Sequence, residues 1–383
     1  MTNLAPAIQW GAATPRERGP VVAGAGAGCS RNAIGVHAGP LCIYRGLAVA
    51  TGALDEGHRP NLTHTAPTIA IGPFPQWSEP SMIVTFDPWG HLVAEVFAEE
   101  RALGLDIRPS IAITKGSLRM AEILDAMDCG RLKADGAVLS RSGNIRVTKI
   151  AIEPVWWLPG VAARLAVSEV RLRESIFRCT DGMYPALTSD PVRKVFLPPI
   201  GGTSVYLFGD IAKLGDPSVK IACRIHDECS GSDVFGSDIC TCRPYLAFGV
   251  EEAIRMAQQG GLGVVTYQRK EGRALGEVVK LMVYNARLAN GDRPEAYFDR
   301  TEQVAGVQDM RFQELSVDVL HWLGVRRIDR LASMSNLKSG ALTAAGIQIV
   351  RQVAIPDAMI PAGASVEICA KRAAGYFSGA DLD

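Results

Sequence analysis

The chain has no net charge: 40 basic residues are matched by 40 acidic ones. The broad positive surface that marks a nucleic-acid or polyanion binder is therefore missing. That argues against such a partner and leaves room for a small charged ligand in a local pocket. No stretch approaches the roughly 18 uninterrupted apolar residues that a membrane-spanning helix needs. Met1 to Pro20 lacks the basic-then-apolar pattern of a secretory leader. Nine cysteines at uneven spacing in so long a chain do not make a disulfide framework and suit a reducing compartment. The expectation is a soluble, cytoplasmic protein. Internal repeats are missing as well. The glycine run Gly24 to Gly28 has neither a Gly-Lys-Ser/Thr ending nor a strand-to-helix setting, so it reads as close chain packing rather than a phosphate loop.

What is present is enough apolar material, 48% of 383 residues, for two buried cores, and two domains are expected. Residues 1 to about 70, rich in Gly, Ala and Pro, read as an irregular arm. Met82 to Phe86 is expected as a strand, Leu92 to Leu103 and Leu118 to Met127 as helices, the second closed by Gly130, and Ala137 to Leu139 as a short strand. Glu153 to Gly160, with two prolines around Trp156 and Trp157, is expected to be an irregular packed corner. A helix over Glu169 to Arg178 and strands at Lys194 to Leu197 and Val205 to Asp210 follow. Turn residues at Gly215-Asp216-Pro217 mark a boundary, giving an α+β N-terminal domain over 1–216 and a second domain over 217–383.

In that second domain strands and helices alternate, which predicts an α/β architecture. Strands are expected at Val219–Ile225, Leu262–Tyr267, Val325–Leu331 and Ile347–Ala354. Helices are expected at Leu246–Gln259, Glu277–Ala289, Arg311–Leu323 and Ser339–Ala345. Cys229, Cys240 and Cys242 stand in the spacing C-x10-C-x-C, so one loop can bring three thiolates to a single soft or borderline metal, with zinc the commonest. Three ligands leave a tetrahedral ion one open corner for water. The competing reading is a structural knuckle completed by a fourth cysteine, most plausibly Cys223. The remaining cysteines read as small buried side chains.

Arg224-Ile225-His226-Asp227-Glu228 ahead of that cluster and Arg269-Lys270-Glu271-Gly272-Arg273 behind it complete a pattern that resembles the GTP cyclohydrolase II family. The resemblance covers about Val219 to Pro356 and implies an α/β zinc domain, hydrolysis of a nucleotide ring and a homodimer. It implies nucleotide contacts for Arg224, Glu228, Arg269, Glu271 and Arg273. It maps Tyr284 onto a catalytic tyrosine, Asp309 onto a general base and Arg311 onto a phosphate contact, with Lys338 near a phosphate-binding lysine after a one-residue slip. Read from the residues alone, the charged loop Gln268–Gly276 is equally a solvated loop, Asp309 equally a helix cap, and Lys280, Tyr284 and Arg287 an ordinary polar helix face.

The chain departs from the family at Cys240-Thr241-Cys242-Arg243-Pro244-Tyr245, which makes Tyr245 a substrate-contact candidate, and at Gly291 to Tyr297. Together with the preceding VTKIAIEPVWWLPGVA and KVFLPPIGGTSVYLFGD segments, these departures resemble the uracil-catabolism branch, the UMP cyclohydrolases. That implies opening of the uracil ring of UMP at C4–N3 to a ribosylated ureidoacrylate. Two alternatives stay open: a GTP cyclohydrolase II of riboflavin synthesis, and a nucleotide-binding protein with structural zinc.

Overall fold

The computed structural model describes residues 14–19, 22–24, 50–51, 53, 55, 93–103, 106–107, 111–152, 156–192, 195–196, 198, 200–289 and 291–377. The strand expected at Met82–Phe86 and most of the glycine run at Gly24–Gly28 lie outside the described residues. The chain divides into two compact units, one of Met1–Lys115, Ile150–Gly202 and Glu314–Gly324, the other of Gly116–Lys149, Thr203–Gln313 and Val325–Asp383.

The first unit contains Trp156 and Trp157. Trp156–Trp157 is a short strand, paired antiparallel with Val195–Phe196, and a helix runs from Leu158 to Arg164. This corrects the expected irregular corner. Pro159 falls in the first helical turn, where a missing N–H breaks no hydrogen bond and a fixed φ is already suitable. The helix Glu169–Cys179 follows, capped by the Ser168 hydroxyl. Its buried Arg173 is satisfied by Glu169 and by the carbonyls of Leu187 and Asp190.

A seven-stranded sheet is built from β1 (Ile111–Leu118), β2 (Ile145–Ile152), β3 (Thr203–Phe208), β4 (Ile221–Asp227), β5 (Leu262–Gln268), β6 (Arg330–Ala332) and β7 (Gln352–Val353). Their order is β7-β6-β4-β5-β3-β2-β1. β7, β6, β4 and β5 are parallel neighbours, and β3 pairs antiparallel with β5 from Thr203 against Gln268 to Phe208 against Gly263. Residues just before Gly215 therefore belong to this second unit, since their backbone groups are spent on β5.

Every residue of β4 is buried, as a strand covered on both faces requires. A parallel pair needs a crossover, and between β4 and β5 it is α2, Cys242–Gln258. Two glycines allow the close approach. A Cβ on Gly249 would stand 2.6 Å from the Arg224 stem, and one on Gly263 would stand 2.5 Å from the Ala253 backbone oxygen. The apolar side of the sheet continues through Phe208, Val250, Ile254 and Val265 into α1, Ala121–Asp128, and the bridge at Leu139 and Ile145.

The expected helices Leu246–Gln259 and Glu277–Ala289 are present, the second as α3, while α2 begins earlier, Pro244 again sitting in a first turn. The helix expected over Leu118–Met127 starts only at Ala121, because Leu118 ends β1. The helix expected over Arg311–Leu323 is a 3-10 turn, Gln313–Ser316, and a short helix, Val317–Trp322. Phe312 takes a left-handed φ of 47° there, which an α-helix does not admit.

The strand expected over Val325–Leu331 splits at Asp329, whose carboxylate accepts from the Ile221 N–H. The last expected strand splits into Gln348–Ile349 and β7. Three more helices complete the unit: α4 (Tyr297–Ala305), α5 (Asn336–Ala344) and α6 (Ser365–Ala373). Among the described residues no helix is long and apolar enough to cross a membrane.

Candidate active site

The parallel strands β4, β5 and β6 all end on one edge of the sheet, at Asp227, Gln268 and Ala332, and the loops that leave those ends line a cavity. Ligands of open α/β sheets bind at this edge. The loop after β4 carries Cys229, and α2 starts from Cys242 with Cys240 two residues ahead. The three thiol Sγ atoms lie within 4.8 Å of one another. Cys229 and Cys240 Sγ are 3.7 Å apart; two sulfurs at 2.3 Å from one tetrahedral zinc stand about 3.8 Å apart.

No fourth Cys, His, Asp or Glu joins the group among the described residues. Cys223, the candidate fourth ligand, is a buried β4 thiol pushed up to about 12 by burial. S–H groups of Cys229 and Cys242 hold the Cys240 sulfur well below the ordinary thiol range, and Cys229 and Cys242 are raised by those same hydrogen bonds. Three soft donors, two of them buried, fit a zinc ion.

The protein braces the first of these donors. Arg224 can only donate, so its contact at 3.1 Å makes His226 Nδ1 an acceptor and leaves the proton on Nε2, which donates to Asp233 at 3.0 Å. Burial keeps His226 below its ordinary value, hence neutral. The same Asp233 oxygen accepts from the Cys229 backbone N–H and the Tyr267 hydroxyl. Glu271 accepts from the Ser230 N–H and hydroxyl, fixing the loop immediately after the cysteine.

Helix α3 faces the cluster with its polar side. Tyr284 Oη is 3.4 Å from Cys229 Sγ, and Lys280 Nζ sits 4.9 Å above the Tyr284 ring. Burial raises Tyr284 well above the usual phenol range, so it is a hydrogen-bond donor at neutral pH. Arg287, with no exposed surface, is paired with Asp292 and donates to the Ile239 carbonyl beside Cys240.

On the other side of the cavity, cations outnumber carboxylates. Lys338 Nζ is 2.7 Å from Asp227, Arg311 3.3 Å and Lys270 3.6 Å, while both oxygens of Asp309 are taken by Arg311. Burial works against the Asp227 charge, yet these cations outweigh it and keep the carboxyl ionised far below its usual range. The surplus positive charge falls on Lys338, which burial and its arginine neighbours lower to about 7. Lys338 belongs to the first turn of α5, whose Ser335 cap accepts from its N–H, and that helix end favours an anion. Arg273 has a left-handed φ of 61°. It is held by the Gln308 carbonyl, by Tyr297 Oη and by the Tyr297 and Phe298 rings; backbone strain of this kind gathers at functional sites.

The third wall comes from the C-terminal helix α6. Glu367, 3% exposed, accepts from Thr241 Oγ1 at 3.0 Å and from Lys371. Burial opposes its charge, but Lys371 holds it ionised below the ordinary carboxylate value. Lys371 Nζ also reaches Thr241 Oγ1 at 3.3 Å. Across from them the Arg224 guanidinium stacks 5.0 Å over Tyr245.

Of the residues expected from sequence, Cys242, Arg224, Tyr245, Arg273, Arg311 and Lys338 line this one cavity. Lys338 points to Asp227 in this cavity, while the next residue, Ser339, turns its hydroxyl onto its own helix. Tyr284 lies against the cysteines, and Asp309 stands behind Arg311. Glu271 braces the cysteine loop and does not line the cavity, Glu228 is half-buried with its N–H on the Gln268 carbonyl, and Arg269 is exposed on its loop.

Sequence reasoning missed Asp227, Thr241, Lys280, Tyr297, Ser333, Ser335, Glu367, Lys371 and Tyr376 as cavity residues. Only α3 gave a signal. A helix with Lys280, Tyr284 and Arg287 on one stripe and Val278, Leu281 and Met282 on another can bury either face, and it buries the polar one.

Comparison with known proteins agrees with the geometry. The family model described as GTP cyclohydrolase II matches residues 203–354, and the one described as GTP cyclohydrolase N terminal matches residues 2–179. The chain is 52% identical to "Uracil-regulated protein 1" of Schizosaccharomyces pombe over 97% of its own length and 85% of that protein. It is also 52% identical to "Putative GTP cyclohydrolase URC1" of Lachancea kluyveri, over 97% and 84%. "GTP cyclohydrolase-2" of Hahella chejuensis is 31% identical over 40% of this chain and 70% of that one.

Proposed function

Because the chain belongs to the GTP cyclohydrolase II family, we propose that it is a zinc-dependent cyclohydrolase acting in uracil catabolism, and that its substrate is UMP. The observation that carries this reading is a single cavity reached by Cys242 of the three-thiol cluster and lined by buried cations. At the cationic end Lys338 and Arg311, both paired with Asp227, line the cavity together with Arg273 and suit a phosphate. One 52% relative is named for uracil regulation, which supports a uracil-linked role, and the other is named a GTP cyclohydrolase, which supports the cyclohydrolase class.

Cys229, Cys240 and Cys242 would hold the zinc, which when bound supplies Lewis acidity to a carbonyl and makes water nucleophilic at neutral pH. Lys338, Arg311 and Arg273 bind the 5′-phosphate. With the phosphate fixed, the uracil C4 carbonyl is oriented toward the cysteine end. Tyr284, a phenol at neutral pH, donates to the oxygen that gains charge when water adds to C4. Asp309, whose carboxylate holds the Arg311 guanidinium, orients that arginine toward the phosphate. The C4–N3 bond then breaks and N3 gains a proton, leaving a carboxylate and a ribosylated urea.

A monophosphate has no diphosphate to lose, so no phosphoryl transfer to an arginine is needed. A homodimer is part of this reading. Val278, Leu281, Met282 and Leu288 form an exposed apolar stripe along α3, which a second copy would cover.

The test is incubation of the zinc-loaded protein with UMP and, separately, with GTP while ring absorbance is followed. Loss of uracil absorbance is expected. Diphosphate release from GTP with UMP untouched would replace this reading with that of a GTP cyclohydrolase.

A further inference from the structure

The family match ends at residue 354, yet Glu367, Lys371 and Tyr376 line the cavity. Within that added wall Glu367 is unusual. One carboxylate oxygen is used twice, by Thr241 and Lys371. The other, Oε2, is buried and has no hydrogen-bond partner among the described residues. A buried ionised acceptor left unpaired is costly, which implies a donor supplied by the ligand. Its place identifies the donor. Thr241 lies between Cys240 and Cys242, so a carboxylate tied to Thr241 stands beside the metal-binding sulfurs. In uracil the ring atom next to the reacting C4 carbonyl is N3, and it carries a hydrogen.

We propose that Glu367 is the specificity-determining residue that accepts the N3–H of the uracil ring, with Lys371 donating to an adjacent carbonyl oxygen. The inference deepens the UMP reading and rests on it. A carboxylate acceptor matches an imide edge, which presents an N–H between two carbonyls. It repels the cytosine edge, where N3 is a lone pair. Glu367→Gln keeps an acceptor for Thr241 and can place an amide N–H where Oε2 was, which reverses the preference.

The experiment measures binding of UMP, CMP and N3-methyl-UMP by calorimetry, together with UMP turnover, for the wild type and Glu367→Gln. The wild type is expected to bind UMP and to discriminate against both CMP and N3-methyl-UMP. The variant should bind UMP roughly 10- to 100-fold more weakly and CMP more tightly than the wild type does. The N3-methyl comparison needs no variant, so the inference stays testable if Glu367→Gln fails to fold. Wild-type protein that opens UMP but binds N3-methyl-UMP equally well, or a folded variant with unchanged UMP and CMP affinities, would overturn the role of Glu367 alone. Wild-type protein inert toward UMP would overturn the ring-opening reading and this inference together.

Discussion

At the residue scale, the cavity's behaviour is governed by groups that are charged at a cost. Lys338 has a folded-state value of about 7, against an ordinary lysine near 10.4. The folded chain therefore holds fewer protons than the unfolded one between about pH 7 and pH 10.4, and this group's contribution to stability rises with pH across that window. It falls away as pH drops toward 7. A bound phosphate reverses the balance by giving the ammonium a second anionic partner. Titration with UMP at pH 7.5 in buffers of different ionisation enthalpy should thus reveal proton uptake that Lys338→Met abolishes. Identical heats in all buffers for the wild type would show that Lys338 is not the group that titrates at the phosphate.

At the element scale, α3 is the informative case, because its burial is the reverse of what its composition suggests. Lys280, Tyr284 and Arg287 are inside while Val278 and Leu281 are 73% and 61% exposed. Under the homodimer proposed above, Leu281→Lys should leave any UMP binding intact and shift the protein toward monomer in sedimentation velocity; an unchanged sedimentation coefficient would remove α3 as the proposed self-association face. The same helix explains what could be read in advance.

The cysteine cluster, β4, β5 and α3 follow from spacing and periodicity, since each is a local pattern. Lys338 was placed near the site by a local motif as well. Asp227 was not read as the centre of a cation cluster, because its partners Lys270, Arg311 and Lys338 are far apart in the chain and meet only through sheet order. Glu367 gave no signal either: SVEICAKRA looks like any surface helix until α6 is seen to pack over Thr241. The tryptophan corner failed for a different reason. Pro159 was read as a breaker when its position in a first turn makes it a starter.

At the scale of the whole molecule, the metal cluster and the main core are separate. The core of the sheet is made of Ile123, Leu139, Phe208, Val250, Ile254 and neighbours, and the three cysteines form their own small group with Tyr284. Chelation should abolish activity, restorable by zinc, while far-UV dichroism persists and Tm falls by on the order of 5–10 °C, the loss of a ligand that binds only the folded state. Collapse of the dichroism on chelation would instead make the metal a structural one.

The placement of α6 has one further consequence, for biosynthesis. The three cysteines and Lys338 leave the ribosome before Glu367, yet all of them belong to one compact unit, and domains generally fold as units. The cavity is therefore completed only after α6 has been synthesised.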